Sequence, residues 1–207
     1  MNGLISVDGK AYETFTKITN LIILNLLFLV SCIPIITIGP SLAALYQVTF
    51  KMNLTDERAI TKQYCQALIH TFFKAGIAGI VSILTGSILV LDLYFVFFIP
   101  SVTPQLLGIP VFAITFLYVL TVTYLFPLMA YTDDKLLNVI KKAICLSLAN
   151  LPYSLLLVAL TITPVLLYFL FYSFGTIVSF VNLFLGFSFI AYYNSRIFLK
   201  IFHKYNI

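Results

Sequence analysis

Three long stretches with almost no charge constrain the fold of this 207-residue chain more than any other feature of its sequence. Residues 18–50 and 143–195 contain no charged side chain, and residues 75–132 contain only Asp92. A helix needs about 20 apolar residues to cross the hydrocarbon core of a bilayer. Only 9% of the residues are charged, against roughly 25% in soluble domains. The sequence therefore predicts an all-α, polytopic transmembrane helical bundle in which residues 1–207 form a single membrane domain.

Turn-forming residues divide the second and third uncharged stretches into two helices each. Prolines and Gly108 interrupt the second stretch near residue 104, and Ser173 to Thr176 interrupt the third. The predicted transmembrane helices cover residues 75–99, 107–131, 152–172 and 177–195.

The first uncharged stretch allows two interpretations. It is too long for one straight span, and Pro34, Gly39 and Pro40 lie near its middle. A hairpin would pair a helix over 12–33 with a shorter helix over 41–52, with Ser41 as N-cap. The alternative is a single tilted span, which gives five spans instead of six membrane-embedded helices.

The positions of the basic residues favour the hairpin. With a hairpin, all 12 Lys and Arg residues fall on one side of the membrane, whereas a single span gives 10 on one side and 2 on the other. Cytoplasmic loops carry an excess of basic residues. We therefore expect a multi-pass protein of the cell membrane with both termini in the cytoplasm. Residues 29–32 resemble a lipoprotein cleavage box, but the flanking residues favour an uncleaved first helix.

Two predicted cytoplasmic segments are amphipathic. Residues 55–73 have an apolar stripe at helical spacing behind a Thr55 cap, and residues 196–207 form a basic tail. The basic residues beside the apolar stretches could contact anionic lipids or a protein partner; they are Lys51, Lys62, Lys74, Lys141, Lys142, Arg196, Lys200 and Lys204. They occur in short clusters near predicted spans, and so they do not indicate nucleic-acid binding.

Asp92 is the only acidic residue inside a predicted span. It lies 18 residues after Lys74, about 27 Å along a helix, which places it in the outer half of the membrane. All Lys and Arg residues are predicted on the opposite side. The carboxyl group must be hydrated, protonated, bonded to hydroxyls such as those of Tyr94 or Thr85, or paired with a group outside the chain. Two interpretations follow. Asp92 is either a structural residue or part of a proton-coupling or ligand site.

The break around residues 34–40 is a second candidate motif. Pro34 and Pro40 lack backbone donors and Gly39 relaxes the backbone, so Thr37, neighbouring helices or water must satisfy the freed carbonyl groups. Such breaks occur as hairpin turns and also line transporter binding sites. Asn25 is expected to hydrogen-bond between helices. Small residues four apart, from Ala75 to Gly86, predict close helix packing.

The residues that common catalytic and cofactor sites require are missing from the sequence. There is no Gly-rich phosphate loop, no HExxH pair, and only two histidines, His70 and His203. Three widely spaced cysteines indicate neither a disulfide framework nor a zinc site. We therefore expect no enzymatic activity, no cofactor and no metal.

Several strings resemble the YesL family of bacterial membrane proteins, whose function is uncharacterised. They are NLLFL at 25–29, PIITIGP at 34–40, ALY at 44–46, ALIHTFFK at 67–74, DLYF at 92–95, FPL at 126–128, KA at 142–143 and NLP at 150–152. Family members commonly have Trp at the position of Phe28 and Asn at that of His70. The resemblance implies an association with binding-protein-dependent carbohydrate importers in Gram-positive bacteria.

Two functional hypotheses follow. The first is an accessory subunit in carbohydrate uptake or its regulation, with an importer permease, an ATPase or a sensor kinase as partner, or a homo-oligomer. The alternative is a self-contained small transporter or channel that uses Asp92 and the 34–40 break. The first predicts protein partners through 55–74, 133–142 and the tail; the second predicts flux from the isolated chain.

Overall fold

The computed structural model describes residues 5–54, 59–98, 104–170 and 182–205. Seven α-helices account for almost all of them: α1 (Ile5–Ser31), α2 (Ile38–Leu54), α3 (Ile60–Phe98), α4 (Pro104–Tyr131), α5 (Leu136–Ala149), α6 (Leu151–Leu170) and α7 (Phe187–Lys204). A short 3-10 turn, Ile35–Thr37, precedes α2, and a π-helical segment, Asn182–Gly186, precedes α7. The described residues thus confirm the predicted all-α class.

The first two helices form the predicted hairpin. Lys17 in the middle of α1 and Asn53 near the end of α2 line the same cleft, so α2 runs back along the second half of α1. The second helix begins at Ile38 rather than near Ser41, and Ser41 is buried inside it rather than capping it. Pro40 fits there because the first turn of a helix has backbone N–H groups without intrahelical acceptors.

The predicted boundary between 55–73 and 75–99 is wrong, because α3 continues without interruption through Lys74. No proline occurs between Ile60 and Phe98, and one lysine does not interrupt backbone hydrogen bonding. At 1.5 Å per residue, this 39-residue helix is about 58 Å long, nearly twice the thickness of a hydrocarbon core. The Thr55 cap falls outside the described residues.

Helices α3 and α4 form an antiparallel pair. Phe97 packs edge to face on Phe112 in the first half of α4. Lys74 donates a hydrogen bond to the Asp133 carbonyl, 3.2 Å away, just beyond the end of α4. Between these points, the Tyr118 hydroxyl donates to the Ser82 carbonyl. The sequence predicted α4 from residue 107; it begins at Pro104 and contains Pro110 near its start and Pro127 near its end.

Helix α5 begins in a segment, 133–142, that the sequence predicts only as a cytoplasmic connection between two spans. Its buried face consists of Val139, Ala143, Leu146 and Ser147, at helical spacing. It meets α6 at a 103° bend. Pro152 causes this break, because it cannot donate to the preceding turn and its ring clashes there. The predicted helix 152–172 begins at Leu151, and residues 171 and 172 lie outside the described residues.

The predicted basic tail is not a separate element, because α7 continues through Arg196 to Lys204. The sequence after Gly186 contains neither glycine nor proline to stop the helix. The first part of the predicted helix 177–195, up to residue 181, lies outside the described residues.

An aromatic cluster forms the centre of the bundle. Phe198 of α7 packs on Tyr124 of α4 and Tyr46 of α2, with ring centroids 5.1 and 5.9 Å apart. Phe50 and Phe202 extend the cluster, with their centroids 6.0 Å apart. Helices α2, α4 and α7 are therefore joined through one buried cluster.

Within the described ranges, three helices are long and apolar enough to cross a membrane, namely Thr14–Ser31 in α1, all of α3, and Gly108–Tyr131 in α4. The bent pair α5–α6 raises this number to four if it forms one span. The chain is thus a polytopic helical bundle, while the count of six membrane-embedded helices stays a prediction.

Candidate functional site

Local hydrogen bonds close the helix break between α1 and α2. The Thr37 hydroxyl lies 2.5 Å from the Ser31 carbonyl oxygen and 2.7 Å from that of Pro34. The Thr37 backbone N–H also donates to Pro34, at 3.0 Å. Thr37 therefore satisfies carbonyl groups at the break, as the sequence predicted, and the break has the character of a hairpin turn.

Gly39 has a packing role that the sequence did not specify. A Cβ atom added there would lie 2.1 Å from the Ala75 carbonyl oxygen and 3.1 Å from the Gly79 Cα. Pro40, next to it, is buried and lies beside Gly76. The backbones of α2 and α3 thus touch where the sequence predicted close packing by small residues.

Asn25 bridges α1 and α7, as predicted. Its side chain is fully buried, and its Oδ1 accepts a hydrogen bond from the Ser188 backbone N–H at 3.0 Å. The Ser188 hydroxyl donates in turn to the Leu21 carbonyl at 2.7 Å. Asn25 therefore joins the first and last of the described helices.

Asp92 lies apart from the helix break. It is exposed on the surface of α3, and within the described residues it has neither a hydrogen bond nor an ion pair. Tyr94, one of the predicted hydroxyl partners, instead stacks on Phe98, with ring centroids 4.9 Å apart. Gly79 and Asp92 are separated by 13 residues of α3, about 20 Å. The structure does not combine the two candidate motifs into one site.

A basic cleft lies between the middle of α1, the end of α2 and the second half of α7. Its volume is about 540 Å³. The described residues that line it are Lys17, Met52, Asn53, Leu54, Tyr192, Arg196, Leu199 and Lys200. Three of these described side chains are basic, and none of them is acidic. The basic cleft brings together two predicted contact residues, Arg196 and Lys200, with Lys17 and Asn53, which the sequence analysis did not select.

The Arg196 guanidinium group is held in a fixed orientation. Its Nε donates to Asn53 Oδ1 at 3.0 Å, and one terminal nitrogen donates to the Tyr192 hydroxyl at 2.9 Å. Its central carbon lies 4.8 Å from the centroid of the Tyr192 ring. Asn53 is itself anchored by a 2.9 Å bond to the Thr49 carbonyl. The group is therefore oriented without any ligand.

The other predicted contact residues do not form one site. Lys142 forms an ion pair with Asp134, with a 2.5 Å distance between Nζ and Oδ2, and Lys74 bonds to Asp133. Lys204 lies over the Tyr205 ring. Lys51, Lys62 and Lys141 are exposed at separate positions. The basic cleft is therefore the main place where the predicted basic residues converge.

A buried polar corner between α5 and α6 also escaped the sequence analysis. Ser154 Oγ lies 2.8 Å from the Ser147 carbonyl oxygen, 3.0 Å from that of Asn150, and 2.9 Å from the Tyr124 hydroxyl. These contacts satisfy carbonyl groups freed at the bend and tie it to α4. The string NLP at 150–152 was the available signal for this corner.

No metal-binding arrangement occurs in the part of the chain that the structure describes, where no three His, Cys, Asp or Glu side chains come together.

These features define a multi-pass α-helical membrane protein. Residues 21–93 match a family described as "Protein of unknown function, DUF624". The chain is also 35% identical over 164 residues to "Uncharacterized protein YteU" of Bacillus subtilis (strain 168), an alignment that covers 77% of this chain and 69% of YteU. The chain therefore belongs to the DUF624 family. No solved structure matches it.

Proposed function

We propose that the protein is a non-catalytic accessory subunit that binds laterally to another membrane protein through the outer half of α3. Its partner would be the permease, the ATPase or an associated sensor kinase of a binding-protein-dependent carbohydrate importer. The observation that carries the partner role is the exposed carboxylate of Asp92 on an apolar helix surface.

An unpaired Asp92 is unfavourable on a surface that faces lipid. Insertion scales assign a cost of up to about 3 kcal/mol to an aspartate at the centre of a membrane helix. Charged residues inside membranes are usually paired or face water. A basic or hydrogen-bonding group on a partner helix would remove this cost, and within the described residues no group of the chain itself is in place to do so.

The surface around Asp92 has the composition of a helix-binding surface. Ile88, one turn earlier, and Phe95, one turn later, have 59% and 53% of their surface exposed. Leu91 is 56% exposed beside them. Because side chains three and four residues apart share a helix face, these groups form an apolar surface around a single acid. A partner helix with one complementary polar group fits this pattern.

The structure gives less support to a self-contained transporter. The helix break lies against α3 at Gly39, where the two backbones touch and leave no room for a substrate. Asp92, the other half of that candidate site, is about 20 Å farther along α3 and exposed on the surface.

The importer link depends on the resemblance to the YesL family, and the orientation depends on the basic residues. Lys17, Arg196 and Lys200 line one cleft at one end of the bundle. Since basic residues concentrate on the cytoplasmic side, this end is proposed to face the cytoplasm of a Gram-positive bacterium, with both termini there.

Site-specific photo-crosslinking in native membranes tests the proposed contact. Benzoylphenylalanine at Phe95 should crosslink to an importer or sensor-kinase subunit, whereas the same probe at Leu166, exposed on α6, should not. Asp92→Asn should reduce the crosslink from position 95, and Asp92→Glu should retain it. Equal crosslinking in wild-type and Asp92→Asn protein would refute the role of the carboxylate. Crosslinks only to lipid would refute the docking surface.

A further inference from the structure

We propose that the basic cleft binds a phosphate group, and that an anionic phospholipid headgroup presents it. This inference is independent of the proposed partner role, because the basic cleft and Asp92 lie on different helices. It assigns a ligand class to Arg196 and Lys200.

The charge and hydrogen-bonding groups of the basic cleft suit a phosphate. Arg196 uses two of its five N–H groups on Asn53 and Tyr192, which leaves three without a partner among the described residues. A planar guanidinium group fixed in this way can bind phosphate oxygens through two parallel hydrogen bonds. Lys200 adds a second positive charge beside Arg196, and the part of the lining that the structure describes includes no acidic side chain.

The position of the basic cleft favours a lipid over a soluble ligand. Lys17 lies in the first turn of the candidate membrane span that begins at Thr14. Beside the cleft are exposed apolar side chains, including Leu54 on α2 and Ile18 on α1. A lipid with its phosphate in the basic cleft could therefore place its acyl chains along apolar helix surfaces. Basic pockets between membrane helices bind anionic headgroups in this way.

The size of the cleft also suits a lipid headgroup. Its volume of about 540 Å³ lies within the range of roughly 300–1,000 Å³ that is typical of small-ligand sites. A phosphate with its glycerol group would occupy part of this space, and the Tyr192 ring and Leu199 would flank it.

Native mass spectrometry of the purified full-length protein tests this inference. The chain would be equilibrated with short-chain phosphatidylglycerol or phosphatidylcholine at equal concentrations. We expect about fivefold stronger retention of phosphatidylglycerol, and about a fivefold loss of this retention for Arg196→Gln or Lys200→Gln, since each basic residue near anionic lipid contributes about a factor of five. Lys141→Gln, an exposed lysine outside the cleft, is the matched control and should change retention less than twofold.

The comparison of the two cleft variants and a second ligand, inorganic phosphate, make the test specific. Arg196→Gln also removes the bond to Asn53, whereas Lys200→Gln removes only an exposed charge, so loss of retention in Lys200→Gln separates binding from misfolding. Inorganic phosphate is the probe for a soluble ligand. Phosphate binding that Lys200→Gln weakens, without any preference between the two lipids, would support the phosphate site and assign it to a soluble compound. Equal retention by wild type, both cleft variants and the Lys141→Gln control would overturn the proposal.

Discussion

Replacing Gly39 by alanine tests the closest helix contact in the structure. The added Cβ atom would lie 2.1 Å from the Ala75 carbonyl oxygen, whereas ordinary contacts begin at 3.4 Å. The two helices would have to separate locally by about 1.3 Å, the difference between these distances. The obstructing atoms belong to the backbone, so no side chain can rotate out of the way.

Two opposing effects determine how far Gly39→Ala changes the free energy of unfolding. Overpacking a well-packed core costs about 1–3 kcal/mol, and more where the backbone must move. Alanine favours a helix over glycine by up to about 1 kcal/mol, and by less in the first turn, where Gly39 lies. We therefore expect Gly39→Ala to lower the free energy of unfolding by about 2–4 kcal/mol.

Gly76→Ala is the matched control. It adds the same methyl group on the facing helix, but the nearest atom would be the Pro40 Cγ at 3.8 Å, an ordinary contact. This variant should be neutral or more stable by up to about 1 kcal/mol. Reversible unfolding of the purified protein in mixed detergent, followed by circular dichroism, measures both. Equal stability of Gly39→Ala and Gly76→Ala would refute the backbone contact between α2 and α3.

Three further variants test other parts of the bundle by the same unfolding assay. Ser154→Ala should cost about 1–2 kcal/mol, because it removes the hydroxyl that joins the α5–α6 bend to Tyr124, while Ser87→Ala, whose hydroxyl bonds only within α3, should cost less than about 0.5 kcal/mol. Phe198→Ala should cost about 3–5 kcal/mol, whereas Phe189→Ala, 47% exposed on the same helix, should cost less than about 1 kcal/mol. Asn25→Ala should cost about 1–2 kcal/mol, because it leaves the Ser188 N–H unpaired, whereas Thr19→Ala should cost little, because that hydroxyl bonds only within α1. A core variant that matched its control would contradict the described packing at that site.

The hairpin and the role of Asn25 could be predicted because each depends on a local property of the sequence. Charge counting distinguished a hairpin from one tilted span, and the structure places Lys17 and Asn53 at one cleft. An asparagine within an apolar helix must find a partner, and Ser188 supplies it. The identity of that partner could not be predicted, because it comes from the far end of the chain.

Helix boundaries were harder to predict for a physical reason. At Lys74 the sequence changes from amphipathic to uniformly apolar, which indicates a change from the membrane surface to the membrane interior. The backbone is helical on both sides of Lys74, so α3 continues. The α5 helix was overlooked because its lysines suggested a connector, although Val139, Ala143 and Leu146 lie at helical spacing. The sequence indicates a relaxed backbone at Gly39, whereas in the structure its missing side chain lets the α3 backbone approach.

The basic cleft could not be predicted at all from local patterns. Asn53 and Arg196 are far apart in the sequence, and their 3.0 Å hydrogen bond depends on the packing of α2 against α7. The sequence indicated which basic residues lie near membrane ends, and the fold determines which of them meet.

The central proposal, an accessory subunit that acts with a partner, is tested most directly by affinity purification of the tagged full-length chain from native membranes in mild detergent. Mass spectrometry would identify and quantify the proteins that remain bound. We expect an importer permease, ATPase or sensor-kinase subunit at near-stoichiometric yield, and a clear reduction of that yield for Asp92→Asn. A partner-free chain that transports sugar after reconstitution into liposomes would contradict it.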